Sequence, residues 1–228
     1  MKGWALPVAA LVGGLAGAGG MYVASGARDG ADIRAYLLAN PEVIPEAMQK
    51  LQDRESGKLV AAHRDAIVRP YAGAWTGNPK GDVTIVEYFD YNCGYCRGIL
   101  PTLQQLLESD PNVRIVYREL PILAETSRAA ARVSLAAAAA GPDRYQRFHA
   151  ALYAAGPVTD ATITAAAQGV GVPATIPADA DAEIDRNLAM AGILGLNGTP
   201  AWVIGNRILS GAQSLEALQD AVRAARGG

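Results

Sequence analysis

The 228-residue sequence predicts an α/β protein, and two observations favour this fold class. Residues 83–89 are rich in β-branched and aromatic residues, which is typical of a buried strand, and leucines at helical spacing follow between residues 100 and 107. Residues 113–119 roughly alternate apolar and polar residues and predict a second strand, while the alanine-rich segment 125–194 predicts several helices separated by Gly and Pro. Half of the residues are apolar, which is enough for a sizeable core.

The turn between the first strand and its helix holds the two cysteines of the chain, in the sequence Cys93-Gly-Tyr-Cys96. Cys93 falls at the predicted start of the helix, where free backbone N–H groups and the helix dipole favour a thiolate. Cys96 follows one helical turn later and is expected to be buried. We therefore predict redox chemistry in which Cys93 attacks and Cys96 resolves, and we expect Pro101 to kink the helix.

The alternative uses of a cysteine pair are a structural disulfide and a zinc site. An inert structural disulfide is disfavoured because bridging so short a loop removes little entropy from the unfolded chain. A zinc site needs about four protein ligands, and the two histidines, His63 and His149, have no partner at ligand spacing. We therefore expect no metal site and no organic cofactor, and we expect His149 to be a packed or rim residue.

Glu87 is the one acidic residue within the predicted strand, six residues before Cys93. A buried carboxylate is costly unless it is paired or protonated, so its pKa should be raised by loss of water. Such an acid near Cys96 could accept that thiol's proton during exchange. The alternative is that Glu87 points to solvent on the other face of the strand.

These residues resemble the thioredoxin fold, and specifically the DsbA-like thiol–disulfide oxidoreductases. The resemblance covers residue 71 to the C-terminus and rests on the strand acid, the Cys-Gly-Tyr-Cys sequence and Gly-Thr-Pro-Ala-Trp-Val-Ile at residues 198–204. It implies a thioredoxin fold that a helical insertion, at about residues 122–194, interrupts. The insertion is expected to cap the active site.

The resemblance also implies roles for individual residues. Pro200 is expected to be a cis-proline beside the cysteines and, with Thr199, to bind an extended substrate peptide by backbone hydrogen bonds. Gly94 and Tyr95, between the cysteines, are expected to contact substrate as well. Members that are strong oxidants have Pro-His at these two positions, so Gly94-Tyr95 looks more like the isomerases and reductases of the family.

We therefore predict a disulfide isomerase or reductase whose partners are proteins with disulfides or thiols. A DsbA-type dithiol oxidase is one alternative, and a copper-binding protein that uses the same thiols is another. A membrane redox protein is expected to reset the cysteine pair. The net charge of −2 does not favour a nucleic-acid partner.

Residues 3–26 carry no charged side chain and are mildly apolar, which predicts export. We expect residues 1–26 to be either a cleaved signal peptide, with small residues at 16–18, or an uncleaved anchor. The protein would then be periplasmic, soluble after cleavage or tethered to the inner membrane by residues 3–26. This location agrees with the cysteine chemistry, because disulfide exchange operates outside the cytosol.

Residues 27–70 predict a helical arm that precedes the domain at 71–228. Two amphipathic helices are expected within 32–69, the second capped by Asn40 with Pro41 at its first position. An apolar seam in this second helix steps by threes and fours, with an expected break at residues 55–57, and comprises Ile44, Met48, Leu51, Leu59, Ala62 and Ala66. The seam predicts a homo-oligomer formed through residues 32–69; a helix pair folded on its own domain and a flexible linker are the alternatives.

Residues 36–44 of this arm resemble the N-terminal region of the suppressor-of-copper-sensitivity protein C family. The segment also fits the related Com1-like group of exported DsbA-like proteins. In some members of the first family this region drives oligomerisation, so the resemblance points the same way as the seam.

Overall fold

The structure, a computed structural model, describes residue 30 and residues 32–227. The predicted export segment at residues 1–26 lies outside the described residues. The chain divides into two compact units, one ending at Gln52 and the other beginning at Asp53. Across residues 32–227, no helix has both the length and the apolar character needed to cross a membrane.

The predicted arm contains helix α1 (residues 32–39) and helix α2 (Val43–Val68). Asn40 does not cap α2, because its Nδ2 donates to the carbonyl of Tyr36 at 2.9 Å and so closes the end of α1 instead. Helix α2 is continuous through residues 55–57, where the apolar seam is interrupted in the sequence. One glycine inside a helix costs about 1 kcal/mol, which a long helix tolerates.

Five strands form one sheet in the order β1-β3-β2-β4-β5. The two predicted strands are confirmed as β2 (Val83–Phe89) and β3 (Val113–Glu119). The sheet also contains β4 (Ala201–Ile204), β5 (Arg207–Ser210) and the short β1 (Trp75–Gly77). The central pair β2 and β3 is parallel, and the other neighbours are antiparallel.

The active-site helix is confirmed as α3 (Gly94–Ser109), which contains Pro101. Four helices connect β3 to β4 and form the predicted insertion, with breaks near the expected Gly and Pro residues. They are α4 (Glu125–Ala139), α5 (Pro142–Ala154), α6 (Asp160–Val170) and α7 (Ala180–Leu194). The last helix, α8 (Leu215–Gly227), is capped by Ser214, whose Oγ accepts from the amide of Ala217 at 3.1 Å.

Both faces of β2 are buried, so the sheet separates two cores. On one face, Ile85 and Phe89 pack with residues of α3, α5, α6 and α8, and this core includes both cysteines. On the other face, Val86 and Tyr88 pack with residues of α2 and α7. The turn after β2 therefore enters α3 on the first face, which is where the cysteines lie.

The polar residues of β3 do not lie on a solvated side of the sheet. Arg118 and Glu119 are both buried. The Arg118 guanidinium bonds the Glu183 carboxylate at 2.7 Å and the carbonyl of Ile67, near the end of α2, at 3.1 Å. A cation at a helix C-terminus is favourable because of the helix dipole. Burial of this arginine is thus made possible by partners on α2 and α7.

The second half of α2 belongs to the same unit as the sheet. Val60 and Ile67 are fully buried in the core that includes Val86 and Tyr88. The predicted seam residues in this half, Leu59, Ala62 and Ala66, remain exposed. From Asp53 onward, α2 therefore packs on the domain through a face other than the predicted seam.

Candidate active site

Cys93 is the N-cap residue of α3, with extended backbone angles (φ −81°, ψ 111°). Its Sγ accepts a hydrogen bond from the backbone amide of Cys96 at 3.1 Å. Its thiol donates to the carbonyl oxygen of Thr199 at 3.3 Å. Both cysteines are free thiols in this structure. The helix terminus thus directs a backbone donor at the Cys93 sulfur, which is the arrangement that stabilises a thiolate.

Thr199 and Pro200 lie against Cys93, although they are more than 100 residues away in the chain. The peptide bond between them is cis, as the resemblance implies. The Pro200 carbonyl accepts from the amide of Gly211 at 2.8 Å, which fixes the loop to the end of β5. Within the described residues, the backbone amide of Thr199 donates no hydrogen bond. A free backbone donor therefore remains beside the Cys93 sulfur.

Cys96 lies one turn into α3 and is buried. Burial raises the pKa of the Cys96 thiol, and the hydrogen bond with Cys93 and the negative charge of Glu87 raise it further. This thiol therefore holds its proton until a nearby base accepts it. Both cysteines are buried, and they differ in that only Cys93 lies at the helix terminus, where its Sγ accepts from a backbone amide.

Glu87 is only 1% exposed, and its Oε2 has no hydrogen-bond partner among the described residues. It pairs in register with Tyr117 on β3 and Trp202 on β4, so large side chains flank it. Burial raises the pKa of Glu87 well above its usual value, and the nearby charge of Cys93 adds to the effect. The alternative in which Glu87 faces solvent is therefore wrong. A carboxyl group with this environment can exchange a proton with a neighbouring thiol.

Gly94 and Tyr95 form the outer side of the active-site turn. Nothing lies within 4 Å of the position that a Cβ on Gly94 would occupy. The Tyr95 side chain is 73% exposed. The structure therefore leaves both residues accessible to a substrate, on the side of the motif away from Glu87 and the core.

Asp90 is a residue of this site that the sequence reasoning missed. Its Oδ1 accepts from the amide of Asn92 at 2.9 Å and from the hydroxyl of Ser127 at 2.7 Å. Its Oδ2 accepts from the amides of Ile122 and Leu123 at 2.8 and 2.9 Å. The first of these bonds is an Asx-turn, so an Asp two residues before an Asn at a strand end was the available signal.

His149 is buried and packs among aromatic rings, as predicted. Its Nδ1 is 3.1 Å from the hydroxyl of Tyr91, which is also 2.9 Å from the hydroxyl of Ser134. Burial lowers the pKa of His149 to about 3. Glu119, a buried acid that sequence reasoning also missed, has its pKa raised by burial, an effect that Ser134 partly offsets. Within residues 32–227, no three His, Cys, Asp or Glu side chains are grouped so that they could hold a metal ion.

Two family models match this chain. Residues 84–223 match the DSBA-like thioredoxin domain, and residues 30–56 match the copper resistance protein ScsC N-terminal domain. The ScsC match ends at residue 56, close to the division between the two structural units, and the thioredoxin-domain match begins at residue 84.

Solved structures agree with both matches. A linker-deletion mutant of Proteus mirabilis ScsC is 29% identical, with a TM-score of 0.71 over 86% of this chain and 92% of that chain. A thioredoxin-like oxidoreductase from Silicibacter pomeroyi DSS-3 is 40% identical, with a TM-score of 0.66 over 72% and 98% of the two chains. A periplasmic thioredoxin-like protein from Salmonella enterica serovar Typhimurium is 29% identical, with a TM-score of 0.67 over 72% and 96%.

Among curated proteins, the chain is 28% identical to the Na(+)/H(+) antiporter NhaA 1 of Salinispora arenicola over 67% of this chain. It spans only 24% of the length of that relative. The domain model, in contrast, covers more than half of the present chain and includes every residue of the site described above. The chain therefore belongs to the DsbA-like thioredoxin family of thiol–disulfide oxidoreductases.

Proposed function

We propose that this protein exchanges thiols and disulfides in protein substrates, as an isomerase or reductase, through Cys93 and Cys96. The observation that carries the proposal is the position of the Cys93 sulfur. It accepts from the first turn of α3 and lies 3.3 Å from the carbonyl of Thr199. A thiolate there has a stabilising backbone donor in α3, and the adjacent Thr199–Pro200 loop offers backbone groups to an extended peptide.

The reaction begins when the Cys93 thiolate attacks one sulfur of a substrate disulfide. A mixed disulfide forms, and the second substrate sulfur leaves as a thiolate. Cys96 then attacks the Cys93 sulfur, so that the Cys93–Cys96 disulfide forms and the first substrate sulfur is released. Burial raises the pKa of the Cys96 thiol, so this thiol needs a nearby base in order to react. The ionised form of Glu87 is that base and accepts the proton that Cys96 loses. In isomerisation, a substrate thiolate instead attacks the mixed disulfide, and Cys93 returns reduced.

The motif sequence supports the isomerase or reductase direction over the oxidase direction. Nothing lies within 4 Å of the position that a Cβ on Gly94 would occupy, and Tyr95 is 73% exposed, so a substrate can approach the outer side of the turn. The equilibrium of the Cys93–Cys96 pair with glutathione gives its reduction potential, which distinguishes an oxidase from an isomerase or reductase. A strong oxidase has a potential near about −120 mV and a reductase one near roughly −270 mV, so a value at the oxidising end would contradict this part of the proposal.

We further propose that residues before Asp53 associate with those of a second copy of the chain. In the unit that ends at Gln52, Ile44, Met48 and Leu51 are exposed apolar side chains on α2. With Leu37 of α1 they line a shallow apolar cavity of about 290 Å³. Their spacing of three and four residues is that of a helix–helix seam. A second copy would cover this surface and bring several active sites to one substrate.

The test uses the full chain with lysines at the seam, Met48→Lys together with Leu51→Lys. A chain cut at Tyr71 is unsuitable because it would remove Val60 and Ile67 from the core. Gln52→Lys, which adds one positive charge at an exposed position outside the seam, is the control. We expect the seam variant alone to lose subunits by light scattering and to lose its ability to refold a scrambled multi-disulfide protein. An unchanged subunit number would contradict the proposed association.

We also propose that the protein works in the periplasm, where a membrane redox protein resets the cysteine pair. The uncharged run at residues 3–26 and the requirement of disulfide exchange for a non-cytosolic compartment support this location. The similar Salmonella protein is itself periplasmic. Osmotic-shock fractionation tests the proposal: a cleaved protein is released, a tethered protein stays with the membrane, and a cytosolic protein would contradict it.

A further inference from the structure

A cavity of about 730 Å³ lies on the face of the sheet that is opposite the cysteines. The end of α2, the segment after it, β2, β3 and α7 each contribute to its lining, and all of these lining residues lie in the unit that begins at Asp53. Small-molecule sites in proteins typically have this size and combine apolar walls with a few placed polar groups. The polar groups of this cavity therefore indicate what it can hold.

The first polar group is the hydroxyl of Tyr88, on β2. Tyr88 is only 1% exposed, and its hydroxyl makes no hydrogen bond to any residue that the structure describes. Burial of a hydroxyl is costly unless the group is hydrogen-bonded. Because the Tyr88 side chain lines the cavity, a molecule in the cavity is the available partner for this hydroxyl.

The second polar group is the side-chain amide of Asn187, on α7, which is 3% exposed and also lines the cavity. Its Oδ1 accepts from the Arg118 guanidinium at 3.3 Å. A guanidinium group only donates, so the amide oxygen and not the nitrogen faces Arg118. The Nδ2 of Asn187 bonds no residue among those described, and an amide nitrogen can only donate. Two buried residues therefore offer free donors to the same cavity.

The charged residues of the lining leave the cavity with one positive charge in excess. They are three arginines and two acids: Arg69, Arg118, Arg186, Asp65 and Glu183. The Glu183 carboxylate is shared between Arg118 and Arg186, with an oxygen 2.7 Å from a nitrogen of each. The Arg69 guanidinium forms no ion pair within the described part of the chain. Free donors and an excess positive charge together favour an anion that accepts hydrogen bonds.

We propose that this cavity binds a small carboxylic acid that carries an apolar chain or ring. The donors of Tyr88 and Asn187 match the two oxygens of a carboxylate, and the single excess charge of the lining matches its single negative charge. Ala189, Met190 and Ile193 of α7 supply an apolar wall for the rest of the molecule. The site is separate from the cysteines, so the inference goes beyond the proposed exchange of thiols and disulfides.

The test is a calorimetric titration of the full chain with octanoate, which joins a carboxylate to an apolar chain. Octanamide has the same chain without the charge, and acetate has the charge without the chain. We expect saturable binding of one octanoate per chain, and binding of octanamide and of acetate that is weaker by about tenfold or more, because each lacks one part of the recognition. No saturable binding of octanoate at millimolar concentration, or equal binding of octanamide, would overturn the proposal.

Tyr88→Phe removes the hydroxyl donor and keeps the ring, so it should weaken octanoate binding about tenfold, as expected for loss of a hydrogen bond to a charged group. Tyr145→Phe is the matched control, because Tyr145 is a fully buried tyrosine whose hydroxyl also lacks a partner among the described residues. It lies in the core on the cysteine face and should keep the wild-type affinity. Equal affinities of the two variants would remove the Tyr88 hydroxyl as a donor to the ligand and overturn the proposal.

Ala189→Trp provides a second test that does not alter a buried residue, since Ala189 is exposed on the wall of the cavity. The larger side chain should fill the cavity and abolish octanoate binding. Undiminished binding by this variant would overturn the proposal. The seam variant Met48→Lys/Leu51→Lys should bind octanoate as the wild type does, and loss of binding there would place the ligand on α2 and contradict the assigned site.

Discussion

Glu87 and Asp90 are two acidic residues only three positions apart, and both are 1% exposed, yet their surroundings are opposite. Glu87 lies within β2 and has an oxygen with no partner among the described residues. Asp90 lies in the turn that follows and accepts four hydrogen bonds with its two oxygens. An unsatisfied buried polar group costs about 1–3 kcal/mol, whereas a satisfied one stabilises the fold. We propose on this ground that Glu87 serves the chemistry and Asp90 the architecture.

The largest effect is expected for substitution of Cys93, the attacking cysteine. Cys93→Ser should abolish exchange with glutathione disulfide and with peptides, because no other thiol of the chain lies at the helix terminus. Cys96→Ser is the matched variant: it should still form the mixed disulfide and then retain it, which mass spectrometry detects. Full residual exchange by Cys93→Ser would contradict the proposed mechanism.

Asp90→Asn should lower the free energy of unfolding by about 2–4 kcal/mol, because two buried amides or a hydroxyl lose their acceptor. Urea denaturation of the reduced protein measures this loss. Asp143→Asn, at a side chain that is 94% exposed, is the control and should change stability little. A loss for Asp90→Asn no larger than that of the control would break the comparison, since Asp90 would then have no architectural role.

Glu87→Gln should slow the resolution of the mixed disulfide by roughly 10–100-fold, at or below the usual size of an acid–base contribution. Rapid-quench measurement of the second step is the readout, because that step requires the Cys96 proton to leave. Glu119→Gln is a sharp control, since Glu119 is a buried acid on the neighbouring strand and its pKa is also raised by burial. Equal slowing by both variants would mean that a buried charge, and not proton transfer, is responsible.

The strands and helices that the sequence predicted have local signals. The composition of β2, the helical spacing of the leucines in α3, and the Gly and Pro residues between the helices of the insertion each lie within a few residues of what they specify. The same holds for the cysteine motif, whose chemistry depends on the helix start at Cys93. The cis bond at Pro200 and its proximity to Cys93 came from the resemblance alone and are present in the structure.

The features that were missed depend on partners far away in the chain. The bonds of Asp90 reach residues 32–37 positions later, and Arg118 pairs with Glu183, which is 65 positions away. No periodicity within β3 distinguishes a solvated arginine from one that meets a carboxylate on α7. The three-residue β1 is defined by its pairing with β3 and has no composition of its own. Proximity in the fold, which single-sequence patterns do not contain, decided each of these cases.

The smallest expected effect concerns the pH dependence of stability. In the unfolded chain Glu87 has the usual pKa of about 4.5, and burial in the fold raises this pKa. Between these two pKa values the folded state binds more protons, so the free energy of unfolding decreases as pH rises, by up to about 1.4 kcal/mol per pH unit. His149, whose pKa falls to about 3 on folding, acts in the opposite sense: its protonation in the unfolded chain lowers stability as pH falls below about 6.5.

The difference between Glu87→Gln and the wild type isolates the contribution of Glu87, because His149 and Glu119 are present in both proteins. Both should be measured in the Cys93→Ser background, where the thiol whose charge adds to the raised pKa of Glu87 is absent. We expect the variant to gain stability over the wild type progressively above pH 4.5, as followed by urea denaturation. Asp90→Asn should show no such gain, since its oxygens already have partners. A parallel loss of stability in both variants at every pH would show that Glu87 is held by contacts as Asp90 is, and the contrast between the two residues would not hold.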